Sequence, residues 1–244
     1  MATWPILPGA PIAEAILDIE AVLPKSVTLN DLGKLRDLAG DTFVEQEERV
    51  VFSRSSEISG QERHFTSSTK IDGIRFRSPI QGKVVQSRLD GFAFNKLKPY
   101  ESWPIFSSEA RRLWEGYCQI TSPRSIQGVS LRYINRIELS MPIKLEEWFT
   151  TRPELGPKIP FMVTGFLMRM EIINDKIQAI GIVTQTAQPL EEERAAVILD
   201  IEVKKKVDFL LPFKELWPFF EKLRNFKNMI FFNSITDKTM ELLK

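Results

Sequence analysis

The amino-acid sequence predicts an α+β protein with a mostly antiparallel sheet. Three observations support this prediction. The composition is that of a globular protein, with 43% hydrophobic and 27% charged residues in a chain of 244. Segments in which apolar and polar residues alternate, as they do in strands, outnumber segments with helical spacing. Finally, the same order of strands and helices occurs twice, which predicts a duplicated β-α-β(3–4)-α unit.

The first half begins with a predicted strand over 11–23, in which Ala15, Leu17 and Ile19 share one face. A short helix follows; Thr28 is suited to cap its start, and Gly40 is suited to end it. Strands are then predicted over 44–53, 61–68, 72–78 and 82–97, the last divided by a turn at Asp90-Gly91. A helix over 103–120, beginning at Trp103-Pro104, completes this half.

The second half begins with a long predicted strand over 126–140. A short helix over 144–150 and a proline-rich loop lead to the remaining strands. A longer helix is expected to begin at Leu216-Trp217-Pro218. The strands predicted between the loop and this helix, and the short helix predicted near the C-terminus, cover 161–173, 177–188, 195–207 and 236–243.

Two sequence matches support the duplication. The segment 97–106 parallels 210–219 with one inserted residue before its Trp-Pro pair, and 16–20 parallels 134–138. The predicted halves are therefore 1–123 and 124–244, packed as one pseudo-symmetric unit. This arrangement resembles the helix-grip or TATA-binding-protein-like architecture, in which a twisted sheet curls around a long helix.

Polar residues on the first strand of each half form the candidate site. Glu14 and Asp18 in the first half correspond to Arg132 and Arg136 in the second, so equivalent positions carry opposite charges. Antiparallel pairing of the two strands would place Glu14 opposite Arg136 and Asp18 opposite Arg132. Asn135 points into an otherwise apolar face, where its amide needs hydrogen-bond partners. The cluster is either a ligand-binding site or a structural link between the halves, and no catalytic residue is assigned.

The residue counts exclude several kinds of site. One histidine, His64, and one cysteine, Cys118, are too few for the usual structural and catalytic zinc sites. We therefore expect no metal, and we also expect no cofactor. A single thiol cannot form an intrachain disulfide, which favours a cytoplasmic location. No apolar run is long enough to span a membrane, and a net charge of +1 disfavours a general nucleic-acid-binding protein.

Three blocks of the sequence resemble a sporadically distributed bacterial protein family of unknown function. They are Pro-Ile-Ala-Glu-Ala at 11–15, Asp-Gly-Phe-Ala-Phe-Asn-Lys-Leu at 90–97 with Pro99, Tyr100 and Trp103, and Leu-Arg-Tyr-Ile-Asn-Arg-Ile at 131–137. The last block matches the family's L-R-Y-x-N-R-[IV] strand. The resemblance covers nearly the whole chain but implies no reaction.

The function favoured by these observations is a non-catalytic binding module for a protein or a small apolar ligand. One alternative is a metal-independent enzyme that uses arginine and carboxylate side chains. Another is a single-stranded nucleic-acid-binding face, on which Arg75 and Arg77 alternate with Phe76, and Arg88 follows on a nearby strand. The oligomeric state and the identity of the ligand remain open.

Overall fold

The strands follow the alternating segments of the sequence. A computed structural model describes residues 4–59, 62–156, 158, 165–190, 193–206 and 213–244. The strands are β1 (Ile12–Val22), β2 (Glu45–Ser59), β3 (Glu62–Ser78), β4 (Lys83–Arg88), β5 (Gly91–Leu97), β6 (Ser125–Ser140), β7 (Leu167–Asn174), β8 (Ala179–Pro189) and β9 (Arg194–Lys206).

The helices lie at the predicted places, although some are shorter than expected. Among the described residues they are α1 (Leu29–Gly33), α2 (Leu35–Ala39), α3 (Trp103–Thr121), α4 (Leu145–Trp148), α5 (Leu216–Ser234) and α6 (Asp237–Leu242). Thr28 caps α1 as predicted, and its side chain accepts a hydrogen bond from the Asp31 backbone. The single helix expected before Gly40 is two short helices, because α1 ends at Gly33, a poor helix former.

All nine strands belong to one antiparallel sheet, which confirms the predicted α+β class. Their order is β2-β3-β4-β5-β1-β6-β9-β8-β7. The predicted turn at Asp90-Gly91 separates β4 from β5. The two strands expected over 61–68 and 72–78 are one strand, β3, because an irregularity in its pairing with β2 accommodates Asp72 between Ile71 and Gly73. The predicted strand over 161–173 is represented by β7, and 161–164 lie outside the described residues.

The chain divides into two compact units. Unit 1 consists of the described residues of 4–17, 96–101 and 127–244, and unit 2 consists of those of 18–95 and 102–126. In unit 1, α5 packs on β8 and β9. In unit 2, α1 packs on β3 and β4, and α2 packs on α3. Ring contacts between β5 and α3, including those of Phe92 with Trp114 and Phe94 with Phe106, build the core of unit 2.

Candidate functional site

Strand β6 separates the predicted site residues onto two faces. Leu131, Tyr133 and Asn135 are buried, whereas Arg132 and Arg136 are partly or fully exposed. This alternation is the one that the sequence predicts, because successive side chains of a strand point to opposite faces. The predicted cluster in unit 1 is therefore divided between an interior row and a solvent-facing row.

Asn135 has the hydrogen-bond partners that its burial requires. The residue is 3% exposed, and its Nδ2 donates to the backbone oxygen of Leu199 on β9 at 2.9 Å. A longer bond of 3.3 Å joins the same nitrogen to the backbone oxygen of Tyr133. These bonds replace those that the amide would make to water, so Asn135 helps to hold β6 against β9.

The arginines on the outer face of β6 are paired with carboxylates. Arg132 donates two hydrogen bonds to Asp200, at 2.8 and 2.5 Å, and this bonding raises the pKa of its guanidinium despite partial burial. Arg136 lies 3.2 Å from Glu138. The carboxylate of Glu14 also contributes to the electrostatic environment of Arg132. These residues therefore belong to a network of charges on the outer face of unit 1.

Asp18 is held in unit 2 by a different arginine. Both oxygens of its carboxylate accept from Arg88, at 2.7 and 3.0 Å, and Arg88 is only 8% exposed. Burial opposes the charge on Arg88, but Asp18 and then Asp90 outweigh burial and raise its pKa. The hydroxyl of Tyr117 donates to the backbone oxygen of Arg88 at 2.8 Å. Arg88 is therefore a paired, well-anchored interior charge.

The observed ion pairs differ from the opposed charges that the sequence analysis expected. Asp18 binds Arg88 instead of Arg132, and Arg132 binds Asp200 instead of Asp18. The backbone N–H of Arg136 donates to the oxygen of Pro11 at 2.7 Å, three residues before Glu14. At this hydrogen bond the register therefore differs by three residues from the expected pairing of Glu14 with Arg136. Charge partners change with register, because a strand places each side chain opposite one particular neighbour.

A buried lysine that sequence reasoning missed lies on α5. Lys227 is 8% exposed, and its Nζ lies 3.9 Å from the centroid of the Tyr133 ring. Within the described residues, this nitrogen has neither a hydrogen bond nor a carboxylate partner. Burial, and secondarily the charge of Arg224, lower the pKa of Lys227 to about 7. The amine is consequently close to its point of half-protonation at neutral pH.

Two tyrosines lie beside this lysine. The hydroxyls of Tyr100 and Tyr133 are 2.8 Å apart, and their rings meet edge to face. Burial raises the pKa of Tyr100 to about 12 and that of Tyr133 well above its usual range. Both phenols therefore keep their protons at neutral pH. We call Lys227, Tyr100 and Tyr133 the Lys227 cluster.

An amide without partners is buried on the same face of the sheet. Asn135 pairs with Leu199, and Leu199 pairs with Gln185 on β8, so these side chains form one row, adjacent to the row of Tyr133. Gln185 is fully buried, and both polar atoms of its side chain lack hydrogen bonds within the described part of the chain. An unsatisfied buried amide costs about 1–3 kcal/mol. Gln185 is therefore a second polar group for which unit 1 supplies no partner among these residues.

The sequence does carry a signal for both missed residues. Leu223, Lys227, Ile230 and Ser234 follow helical spacing, so Lys227 occupies a position of the buried stripe of α5. Gln185 occupies an inward position of β8, two residues after Val183. A lysine or a glutamine at a position where the spacing predicts a buried residue is the signal by which Lys227 and Gln185 could have been found.

The nucleic-acid alternative depends on a free arginine surface with exposed aromatic rings. Arg75 and Arg77 instead share Glu47, at 2.8 and 3.1 Å. Arg88 is buried with Asp18, and Phe76 is fully buried in unit 2. These residues do not present stacked rings to solvent, so the geometry does not favour base stacking at this position.

The remaining candidates contribute no reactive group. Burial raises the pKa of the Cys118 thiol to about 12, which keeps it protonated and poorly nucleophilic. The side chain of His64 lies outside the described residues, although its backbone belongs to β3. In the described ranges, no group of three or more histidine, cysteine or acidic side chains is arranged to hold a metal. Within the same ranges, no helix has the length and apolar character needed to cross a membrane.

Comparison with known proteins does not assign a family. No protein-family model matches the chain, and no curated protein is significantly similar to it. The resemblance of its three sequence blocks to the sporadically distributed bacterial family therefore stays a prediction. The function must be inferred from the geometry of the residues themselves.

Proposed function

We propose that this protein is a non-catalytic binding module for a small ligand with a largely apolar body. The ligand is held in unit 1, and its polar group is bound at the Lys227 cluster. The observation that carries the proposal is Lys227, a residue only 8% exposed, whose Nζ lacks a carboxylate or hydrogen-bond partner in the described residues.

The energetics of burial support this proposal. A buried amine without a partner loses its bonds to water and gains none in return. Such a group reduces stability unless another molecule supplies the missing bond. Gln185 presents the same deficit on the same face of the sheet. Lys227 has only the Tyr133 ring and Gln185 has no partner among the described residues, and a ligand that supplies the missing hydrogen bonds accounts for both groups.

The surroundings of the cluster favour an apolar ligand body. Phe226 and Ile230 are buried on α5 beside Lys227 and lie against Gly181 of β8. The inward residues of the neighbouring strands are also apolar, and they include Leu131, Ile201 and Val183. Binding sites for small molecules commonly combine such an apolar lining with a few polar groups that fix orientation.

A direct test measures the binding of dodecanol to the purified protein by isothermal titration calorimetry. We expect saturable binding, and we expect Lys227→Met to weaken it about tenfold, because one hydrogen bond to the ligand contributes about 1.4 kcal/mol. Lys222→Met is the matched control, since Lys222 is an exposed lysine of the same helix. Absence of saturable binding, or equal affinities of the two variants, would refute the proposal.

The order of the strands supports the proposed duplication. Read outward from β1 the order is β5, β4, β3, β2, and read outward from β6 it is β9, β8, β7, so the first series has one additional strand at its edge. Each series begins with the first strand of its half and then takes the later strands in reverse. A helix of 19 residues follows each series, α3 in one half and α5 in the other. We infer a duplicated unit of helix-grip or TATA-binding-protein-like type, and superposition of the two series in an experimental structure is the test.

A cytoplasmic location also belongs to this proposal. It is supported by the single cysteine, which cannot form an intrachain disulfide. Fractionation of the native host, followed by detection of the chain, tests it. Recovery from a secreted or membrane fraction would contradict it.

A further inference from the structure

We propose that Lys227 captures an aldehyde group of its ligand as a Schiff base. This inference rests on the proposed function, because it names the chemical class of the ligand's polar group. The feature that carries it is a buried primary amine, placed over an aromatic ring and beside two phenols, with no carboxylate partner among the described residues.

The other buried lysine of the described chain provides a contrast. Lys96 is 4% exposed, but its Nζ lies 3.4 Å from a carboxylate oxygen of Glu101 and donates to the backbone oxygen of Leu97 at 3.2 Å. The nitrogen of Lys96 is therefore engaged in an ion pair and in a hydrogen bond. Both lysines are buried, so burial does not distinguish them. The difference is the carboxylate beside Lys96, which Lys227 lacks among the described residues.

The protonation of Lys227 supports nucleophilic attack. Burial lowers its pKa to about 7. At pH 8 an amine with that pKa is about 90% neutral, whereas an ordinary lysine with a pKa of about 10.4 is less than about 1% neutral. Desolvation in an apolar environment is one of the recognised ways in which proteins activate a lysine nucleophile.

The step balances without a further reactant. The lone pair of Nζ attacks the carbonyl carbon of the aldehyde and forms a carbinolamine. Loss of the carbonyl oxygen as water, with the two protons of the amine, then leaves a carbon–nitrogen double bond. Tyr100 and Tyr133 both retain their protons at neutral pH, and their paired hydroxyls are hydrogen-bonding groups for the departing oxygen, whereas solvent and the amine supply the protons that leave with it.

The ring beneath Nζ also suits the product. A protonated Schiff base is a cation, and a cation over an aromatic face is stabilised by about 0.5–2 kcal/mol. Nζ already lies 3.9 Å from the centroid of the Tyr133 ring. The groups that face this nitrogen are therefore Tyr133 from β6, with Tyr100 beside it, and Arg224 from α5.

The experiment incubates the full chain with dodecanal at pH 8 in the presence of sodium cyanoborohydride. Mass spectrometry of the intact protein and of its peptides then locates the reduced adduct. We expect one adduct, on Lys227, that forms at least tenfold faster than adducts on Lys96 or on exposed lysines. Lys227→Met should lose it, and Lys222→Met should retain it. Circular dichroism of both variants verifies that they are folded.

The dodecanol titration separates this inference from the proposed function. Saturable dodecanol binding without an adduct on Lys227 overturns the Schiff base and leaves the binding proposal standing. An adduct on Lys227 without dodecanol binding supports the amine chemistry and overturns the binding proposal. Absence of both results overturns both. Adducts distributed equally over many lysines overturn the Schiff-base inference, because they show that Lys227 has no special reactivity.

Discussion

Arg88 in unit 2 and Lys227 in unit 1 are equally buried, but their environments are opposite. Each is 8% exposed. Arg88 has the carboxylates of Asp18 and Asp90, and its pKa is raised, whereas Lys227 has an aromatic ring and a neighbouring cation, and its pKa is lowered to about 7. Because the two residues are equally buried, their opposite pKa shifts come from their different partners, and the guanidinium is in addition the more basic group. Arg88, which is paired with carboxylates, therefore has a structural role, whereas Lys227, which has no carboxylate partner among the described residues, is a candidate binding residue.

Two glycines extend the comparison from charge to packing. A Cβ on Gly91 in unit 2 would lie 2.1 Å from the backbone oxygen of Ile19, and Gly91 has a φ of +148°. A Cβ on Gly181 in unit 1 would lie 2.8 Å from the Cδ1 of Ile230. The first obstacle is backbone and the second is the end of a side chain. We therefore expect an added side chain to be tolerated less well at Gly91 of β5 than at Gly181 of β8.

The largest expected effect follows from these glycines. We expect Gly91→Ala to lower the free energy of unfolding by at least about 4 kcal/mol, because both the clash and the positive φ oppose a side chain. Gly181→Ala should cost about 1–2 kcal/mol, since Ile230 and Phe226 can adjust. Urea denaturation of both variants measures the difference. Equal losses would contradict the contrast between backbone and side-chain obstacles.

The pH dependence of stability tests the unpaired state of Lys227. The unfolded chain holds this proton up to about pH 10.4, whereas the folded chain releases it near pH 7. Between these pH values the unfolded state binds more protons than the folded state. The free energy of unfolding of wild type therefore rises with pH by about 1.4 kcal/mol per unit because of Lys227, and it falls again as the pH is lowered. Lys227→Met lacks this dependence. From pH 9 to pH 7 its stability should therefore improve by about 2 kcal/mol relative to wild type, because the folded wild type is already half-protonated at pH 7.

Urea denaturation of wild type and Lys227→Met at several pH values makes this measurement. Titration of all other groups is common to both proteins and cancels in the difference. Lys222→Met serves as the control, and its curve should run parallel to that of wild type. A parallel curve for Lys227→Met as well would mean that Lys227 has an ordinary pKa.

Removal of a carboxylate tests the paired state of Arg88. Asp18→Ala leaves a buried guanidinium with only Asp90, and we expect a loss of about 3 kcal/mol. Asp200→Ala removes the partner of Arg132, which is partly exposed, and should cost about 1 kcal/mol. Thermal or urea denaturation compares the two. A larger loss for Asp200→Ala would reverse our assignment of Arg88 as the anchored charge.

The smallest effect concerns the hydroxyl pair. Tyr133→Phe keeps the ring beneath Lys227 but removes one hydroxyl, and it should cost about 1 kcal/mol. Burial raises the pKa of Tyr100 and the bond to Tyr133 lowers it, so this variant should raise that pKa further. Ultraviolet titration of tyrosinate measures the shift. An unchanged titration of Tyr100 would indicate that the two hydroxyls do not share a hydrogen bond.

Much of the fold could be predicted from local patterns. The inward position of Asn135 and the starts of α3 and α5 follow from periodicity and from the Trp-Pro signals. The break between α1 and α2 and the continuity of β3 were missed. In both cases a local irregularity, the end of α1 at Gly33 and the extra residue at Asp72, is accommodated by neighbouring elements.

The candidate site was less accessible to prediction. Glu14, Asp18, Arg132, Asn135 and Arg136 were chosen as one cluster, but Asp18 belongs to unit 2 and the others to unit 1. Tyr133 was recognised only as an inward residue of its strand. Nothing in the local sequence around Lys227 shows whether a carboxylate lies near its amine in the folded protein.

The sequence by itself determined the class of the fold and the alternating faces of β6, and its single cysteine precludes an intrachain disulfide. These properties depend on residue counts and on spacing within one element. Only the tertiary structure decided that Asp18 meets Arg88, 70 residues away, and that Lys227 meets Tyr133 instead of an acid. The physical reason is that strand order and register select each side chain's neighbours, and those neighbours set its charge and its chemistry.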